Sequence, residues 1–357
     1  MPLLLLFSGL SALFVAEAAL ARDDATGGNS KQLEIYFIDV EGGQSTLVVT
    51  PDRRALLIDT GFAGDGGMSS RAGDPKVARD ANRIVAAARD AGVKRIDDLL
   101  ITHFHPDHDG GAVELSQLLP IDTFIDHSSI SPLAAANPDY KSAYEAYVAM
   151  RGSRAHIDPK PGDLIPFKDI EVTVVSSAGA TILKALPGAG EINQSCQAAP
   201  TPAADPNENP RSTGVVIRYG KFRFLDVGDL SGGPLFDLVC PRSKIGRVDV
   251  YLVAHHGGPD VGDPAILEAL KPSVAIVNNG PRKGGAVGTL RALHGTSASI
   301  WQLHRSEAAG ESNFSDDRIA NLDENTSYWI KLIARPDGTF RIVNQRTGVS
   351  EEHPSKK

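Results

Sequence analysis

The sequence predicts an α+β fold, a four-layer αββα sandwich in which two central mixed sheets pack face to face and helices cover their outer sides. Short apolar runs separated by glycine and proline turns alternate with segments of helical spacing. A loop rich in glycine, proline and asparagine, at about residues 178–211, separates two such series. Two packed sheets with helices outside would bury all of these runs.

The first half of the chain is predicted to begin as an antiparallel meander. Residues 33–40, 46–50 and 55–59 are short apolar runs between turns. Residues 76–91 carry apolar side chains at helical spacing, and Gly92 is a typical helix stop. The same signals predict strands at 96–102, 121–125 and 170–175 and a helix at 139–150.

The second half shows the same signals beyond the long loop. No sequence repeat is strong enough to prove a duplication. Strands are expected at 214–219, 222–227, 248–254 and 274–278, a helix at 264–270, and a terminal hairpin of 328–334 and 340–344.

The N-terminal residues have the composition of a targeting segment. Residues 3–15 are strongly apolar, and Ala19-Leu20-Ala21 supplies the small-x-small pattern of a signal-peptidase site. No lysine or arginine precedes the run, and an uncleaved anchor is the alternative, although polar residues make the run short for a membrane span. We predict a signal peptide at 1–21, one domain at 22–357, and a periplasmic or secreted protein without a stable membrane span after processing.

Charge and cysteine content limit the expected partners. The net charge of −8 argues against electrostatic capture of long polyanions, so nucleic acid is a possible partner that the charge does not favour. In an oxidising compartment Cys196 and Cys240 could form a disulfide, and two unrelated thiols are the alternative. The sequence does not indicate the oligomeric state.

The most informative stretch is THFHPDHDGG, residues 102–111. A strand that ends in alternating histidines points His103 and His105 to the same side. Asp107 and His108 then lie on the following turn, where they can face a second metal, and the two glycines let a helix start close to the site. Imidazoles and carboxylates are ligands that zinc prefers, whereas a histidine-rich surface loop is the alternative.

This pattern, His-x-His-x-Asp-His followed by Gly-Gly, resembles the metallo-β-lactamase superfamily, a group of mostly dinuclear metal hydrolases. Residues 38–46 and 253–258 look like elements of the branch that contains the hydrolase domain of the DNA-uptake channel protein ComEC. Residues 57–61 and 224–229 resemble two further strands of the superfamily. The resemblance covers roughly residues 33–305 and implies the same αββα sandwich.

The resemblance implies a dinuclear site with two divalent ions, zinc first and manganese or iron as alternatives. A metal-bound hydroxide would attack the substrate, and Asp107 could also take or orient a proton. Asp39 and Asp59 would orient ligand imidazoles, with turn capping as their alternative role. The expected ligands are His103 and His105 for one metal, Asp107 and His108 for the other, Asp229 as the bridge, and His255, His256 or both to complete the set.

One departure from the superfamily concerns a further metal-binding histidine on a strand before the bridging aspartate. The equivalent-looking strand here ends at residues 174–179 without a histidine. His127, after the apolar strand 121–125, could ligate a metal or contact substrate, and an ordinary loop histidine is the alternative. His156 is a weaker candidate. The catalytic set expected from the sequence is therefore Asp107, His127 and Asp59.

Other polar residues follow probable strand ends, where loops often carry function. Asn279, Arg282 and Lys283 lie after the strand at 274–278, where the two basic side chains could bind an anionic group. His304 ends another strand-like run. We expect Asn279, Arg282 and His304 to contact substrate, with solvated-turn or structural roles as the alternatives.

Three function classes fit these residues. The leading one is an exported metal-dependent hydrolase that acts on a small-molecule or short phosphoester or phosphodiester. The second is a hydrolase of a carbonyl substrate, such as a lactone, thioester or β-lactam, and the third is an iron-dependent redox protein on the same fold. A pure binding module is disfavoured, because it would not need Asp107, Asp229 and the histidine clusters together.

Overall fold

Apolar side chains from two mixed sheets meet in the middle of the protein. The computed structural model describes residues 32–199, 202 and 205–355, which lie in one compact unit. The predicted signal peptide at 1–21 lies outside these residues. The strands are β1 (Leu33–Phe37), β2 (Thr46–Val49), β3 (Ala55–Ile58), β4 (Ile96–Leu100), β5 (Ile121–Ile125), β6 (Ala155–Ile157), β7 (Leu164–Ile165), β8 (Glu171–Ser177), β9 (Ala180–Thr181), β10 (Gly214–Tyr219), β11 (Phe222–Asp226), β12 (Val250–Leu252), β13 (Val274–Val277), β14 (Ser299–His304), β15 (Ile319–Asn321), β16 (Ile330–Ala334), β17 (Phe340–Asn344) and β18 (Ser350–His353).

Helices connect the strands on the outer side of each sheet. They begin and end near predicted boundaries where the sequence had a clear helical spacing, as in α1 and α4. The α-helices are α1 (Arg79–Asp90), α2 (Ala112–Leu118), α3 (Pro132–Ala135), α4 (Pro138–Arg151), α5 (Gly232–Val239), α6 (Pro264–Leu270) and α7 (Val287–His294).

The two sheets have similar internal plans. In the described residues the first sheet runs β18-β17-β16-β1-β2-β3-β4-β5-β6, and the second runs β15-β14-β13-β12-β11-β10-β8-β7, with β9 beside β8. In both sheets antiparallel strands lead into parallel ones, β3 to β6 in the first and β11 to β15 in the second. Because parallel strands end at the same edge, the segments after β4, β5, β11, β12 and β13 can converge on one site.

The core has three layers that confirm the predicted sandwich. Alternate residues of β1, such as Ile35 and Phe37, face the second sheet, and the Phe37 and Phe224 ring centroids lie 5.6 Å apart across that interface. Tyr36, on the opposite face of β1, packs with residues of α1, α2 and α4. Helices α5 to α7 cover the outer side of the second sheet, including Tyr251. The period of two along the strands therefore sorts side chains between inner and outer layers.

The long loop predicted at about 178–211 packs against α5 and α6. Nδ2 of Asn193 donates to the carbonyl oxygens of Val239 and Ala265, at 3.1 and 2.8 Å. A disulfide joins Cys196 to Cys240, so the pairing left open by the sequence is present. The loop is thereby attached to the outer side of the second sheet.

Removing this disulfide is expected to destabilise the protein. Its two cysteines are 44 residues apart, and the loss of that cross-link should lower the free energy of unfolding by roughly 3–4 kcal/mol in the chain-entropy model. Urea unfolding of Cys196→Ser measures the change. Dithiothreitol should destabilise the wild type by a similar amount and leave the variant unaffected; a variant as stable as the oxidised wild type would contradict the expectation.

Within the part of the chain that the structure describes, no helix has the length and apolar character needed to cross a membrane.

Candidate metal centre

The residues of the histidine motif follow β4 and form a buried turn before α2. Strand β4 ends at Leu100, so the predicted strand at 96–102 is two residues too long, and strand alternation does not orient the histidines. Instead the chain turns, with His108 N donating to His105 O at 2.8 Å. The imidazoles still converge, with Nε2 of His103 3.0 Å from Nδ1 of His105.

Glycine lets α2 begin directly against this turn. A Cβ atom at Gly111 would lie 2.3 Å from the carbonyl oxygen of Thr60, far inside any real contact. Gly111 N donates to Gly61 O at 3.0 Å, and Thr60 N donates to His108 O at 2.8 Å. The expectation that the glycines allow a helix to start close to the site is confirmed by these contacts.

Four side chains from both halves of the chain form one group of potential ligands. They are Asp107, His108, Asp229 after β11, and His256 after β12, and all are buried. Nε2 of His256 lies 3.2 Å from Asp107 Oδ2 and 3.1 Å from Asp229 Oδ1. Nε2 of His108 lies 3.2 Å from Asp107 Oδ2 and 3.3 Å from Asp229 Oδ2.

Asp229 also belongs to a second group, with His103 and His105. Nε2 of His103 lies 3.9 Å from Asp229 Oδ2. Within each group the ligand atoms all lie within 4.8 Å of one another. The structure therefore places Asp229 between the two groups, where the sequence predicted a bridging carboxylate.

The donor atoms fit divalent ions. A tetrahedral ion with bonds of about 2.0–2.1 Å holds its ligand atoms roughly 3.3 Å apart. The separations around His256 and His108 are 3.1–3.3 Å. Nε2 of His105 is buried with no hydrogen-bond partner among the described residues, and Nε2 of His108 faces Nε2 of His256 at 3.2 Å. A cation would satisfy these atoms.

The electrostatics of the site favour cation binding. Burial lowers the pKa of His103 and of His105, so both imidazoles are neutral near neutral pH, the form that ligates metals. Burial opposes ionisation of Asp229, but His256 and His108 hold the pKa of that carboxyl well below its usual value. The shared carboxylate is therefore ionised and has negative charge available for a metal.

Comparison with known proteins agrees with this geometry. Residues 38–184 match the family model described as "Metallo-beta-lactamase superfamily". This match covers less than half of the chain and shows that residues 38–184 are similar to the superfamily. The resemblance predicted from the sequence is confirmed over these residues, and the two mixed sheets flanked by helices confirm the predicted sandwich fold.

The chain is also similar to a curated protein and to solved structures. "ComE operon protein 3" of Bacillus subtilis (strain 168) is 25% identical over 260 residues, which are 70% of this chain and 29% of that protein. A putative metal-dependent hydrolase from Parabacteroides distasonis matches 76% of this chain and 93% of its own, with 14% identity and a TM-score of 0.42. The metallo-beta-lactamase fold protein YhfI from Bacillus subtilis covers 76% and 96%, with 11% identity and a TM-score of 0.44.

Asp59 lies directly behind His108. Its Oδ2 is 2.7 Å from His108 Nδ1, and its two oxygens accept hydrogen bonds from the backbone N and the hydroxyl of Thr102, both at 2.7 Å. Asp59 has a φ of 60°, a backbone conformation that non-glycine residues seldom adopt. These contacts set the orientation of the His108 ring, so that Nε2 faces the other ligands.

Replacing Asp59 with asparagine should therefore weaken metal binding without removing a ligand atom. We expect roughly 10–100-fold weaker zinc affinity, the usual cost of losing a carboxylate behind a ligand histidine. Competition with a chromophoric chelator measures the affinity. Asp122→Asn, at an exposed position, serves as the control, and equal affinities of the two variants would contradict the assigned role.

His255 lies beside the ligand groups without joining them. Its Nδ1 is 2.9 Å from Asp260 Oδ1, and its Nε2 is 3.1 Å from Asn209 Nδ2. Nε2 is also 3.8 Å from Asp229 Oδ2, yet His255 is absent from both groups of close ligand atoms. Of the two adjacent histidines that the sequence could not separate, the structure brings His256 into the ligand set.

His127 lies away from both groups and faces a carboxylate of the long loop. Its Nε2 is 3.1 Å from Glu208 Oε1, both side chains are fully buried, and its ring packs 4.7 Å from that of Phe104. The backbone N of Ser131 donates to Glu208 Oε2 at 2.6 Å. A ligand or catalytic role for His127 remains a prediction. His156 is paired with Asp126, at 2.9 Å.

The remaining predicted residues have described contacts outside the two ligand groups. Asp39 pairs with Arg83 at 3.2 Å rather than with a ligand imidazole. Nδ2 of Asn279 donates to His304 O at 2.7 Å, and Arg282 forms an exposed ion pair. Substrate binding by Asn279, Arg282 and His304 therefore remains a prediction.

Sequence reasoning missed residues that only the folded chain brings to the site. Tyr140, on α4, packs its ring 4.6 Å from that of His105. Asn209 comes from the long loop and lies beside His255. Neither Tyr140 nor Asn209 belongs to a metal-binding pattern, so no signal in the sequence indicated them. Lys283, which the sequence indicated only as a possible anion-binding residue, contacts Asp107.

Proposed function

We propose that this protein is an exported metal-dependent hydrolase that acts on phosphoesters or phosphodiesters and uses two divalent ions, zinc first. The observation that carries the proposal is the position of Asp229 in both ligand groups. Two-metal sites recur in phosphatases and nucleases, because paired cations stabilise both the attacking and the leaving oxygens.

Different residues of the chain would hold each ion and orient the ligands. When bound, the ions supply Lewis acidity and lower the pKa of water. His103 and His105 would hold one ion, and Asp107, His108 and His256 the other, with Asp229 shared. Asp59 fixes the tautomer and direction of the His108 ring, because its carboxylate accepts the Nδ1 proton.

The choice of a phosphoester rests on the resemblance to the ComEC hydrolase branch, and two features support export. Residues 1–21 have the composition of a signal peptide, and disulfides such as Cys196–Cys240 are typical of oxidising compartments. Fractionation of expressing bacteria tests the location. A mature protein that begins near Arg22 in the periplasm or medium is expected; an unprocessed cytoplasmic chain would contradict it.

Hydrolysis of bis-p-nitrophenyl phosphate by zinc- or manganese-loaded protein tests the reaction. Asp107→Ala removes one ligand and should lower kcat/KM roughly 10³-fold, whereas exposed Asp122→Ala should match the wild type. Absence of turnover in protein that holds two ions would contradict the phosphodiester assignment. Turnover of a lactone or thioester, or purification with iron, would then identify which of the other two classes applies.

A further inference from the structure

Lys283 is a partly exposed cation beside the metal centre and is not one of the ligands. It lies in the loop between β13 and α7, and its ammonium group contacts Asp107 Oδ2. The Lys283 side chain is 36% exposed, whereas that of Asp107 is 1% exposed. The ammonium group therefore lies between a buried ligand carboxylate and solvent.

The loop that carries Lys283 is held by backbone contacts. Gly285 N donates to His256 O at 2.8 Å, which ties the loop to a ligand residue. Nζ of Lys283 donates to Gly42 O at 2.8 Å. A Cβ atom at Gly42 would lie 2.8 Å from the Lys283 Cβ, so the two backbones approach closely because Gly42 has no side chain. The ammonium is therefore positioned before any substrate arrives.

Lys283 has one hydrogen-bond donor beyond its described contacts. An ammonium group carries three N–H donors, and Gly42 O and Asp107 accept two of them. The third donor has no described partner, and the 36% exposed side chain can present it to an acceptor that arrives from solvent. A charged acceptor is favoured, because hydrogen bonds between two ions are about twice as strong as neutral ones.

We propose that Lys283 binds a negatively charged, non-bridging oxygen of the substrate and so makes the site selective for anionic phosphodiesters over neutral esters. This inference rests on the proposed function and assigns the substrate's charge. Lys283 supplies a fixed positive charge on the Asp107 side of the site, and a phosphodiester monoanion carries its matching charge on the phosphoryl group.

A pair of substrates with the same leaving group tests the charge selectivity. Bis-p-nitrophenyl phosphate is a monoanion, and diethyl p-nitrophenyl phosphate is neutral. Lys283→Gln should lower kcat/KM for the anion roughly 10–100-fold, the fold-change that one charge-assisted hydrogen bond supplies, mainly through KM. The neutral ester should change less than about threefold, and Lys283→Arg should recover most of the anion activity. Lys160→Gln, at an exposed lysine paired with Asp158, is the matched control.

Binding measurements separate this role from two others. Inorganic phosphate should inhibit Lys283→Gln more weakly than the wild type, while both proteins retain two metal ions by elemental analysis. Equal losses on the anionic and neutral esters would overturn the proposal and make Lys283 a support for Asp107. A metal ion gained by the variant would overturn it too, because Lys283 would then occupy a metal position.

The outcomes for the two proposals are distinguishable. A wild type that hydrolyses neither phosphate ester contradicts the proposed function itself. A wild type that hydrolyses the diester, with Lys283→Gln unchanged, contradicts only the assignment of Lys283. A loss confined to a carboxylate-bearing β-lactam, with the diester unaffected, would contradict the phosphate source of the bound anionic oxygen.

Discussion

Replacing Asp229 with alanine is expected to remove both metal ions and to lower kcat/KM by roughly 10³-fold or more, because this carboxylate belongs to both ligand groups. His103→Ala should have a different effect, since His103 belongs to one group only. That variant should retain about one ion per chain in elemental analysis after exhaustive dialysis.

The metal contents of Asp229→Ala and His103→Ala distinguish a shared ligand from a ligand of one ion. Asp122→Ala, at an exposed aspartate, controls for the loss of a negative charge. Two ions retained by Asp229→Ala would show that the groups bind independently, contrary to the shared-ligand arrangement. Circular dichroism of each variant establishes that the fold is intact.

Replacing Asp126 with alanine is expected to cause the largest loss of stability, about 3–5 kcal/mol in the free energy of unfolding. Asp126 is fully buried at the end of β5. Its Oδ2 accepts from the Tyr147 hydroxyl at 2.7 Å and from Arg151 at 2.6 Å, and its Oδ1 lies 2.9 Å from His156 Nε2. Without the carboxylate, the largely buried Arg151 guanidinium loses its ion pair with Asp126, which destabilises the folded state.

Tyr147→Phe is the matched control, because it removes one hydrogen bond of the same cluster and leaves the charge pair intact. We expect it to cost about 1 kcal/mol. Urea unfolding of both variants measures the difference. A loss in Asp126→Ala no larger than that in Tyr147→Phe would contradict a net stabilising role for the ion pair with Arg151.

Much of the layer structure could be predicted because the spacing of apolar residues along the chain indicates which segments form strands and helices. The alternation of Leu33, Ile35 and Phe37 indicates a strand with one face in the core, and all three face the second sheet. The spacing in residues 76–91 indicates a helix, and α1 spans most of it. Strand ends were less predictable, since β4 stops at Leu100 where the metal-binding turn begins.

The metal-binding motif around His103 could also be predicted from local sequence. Its ligand types lie within seven residues, so their proximity follows from chain connectivity alone. Asp229 was predicted as the bridge through resemblance, and the structure brings it to both ligand groups. These parts of the site required no knowledge of tertiary contacts.

Local sequence patterns and the resemblance were enough to predict the two-sheet fold and the metal-binding motif, whereas tertiary packing selects the distant residues that meet that motif. His255 and His256 are adjacent and have the same local signals, yet only His256 joins the ligands. Both have positive φ angles, of 49° and 52°, and Gly285 N donates to His256 O. Lys283 reaches Asp107 from 176 residues away. Such choices depend on how separate segments pack, because side-chain direction at a strained turn is set by the contacts that hold the turn.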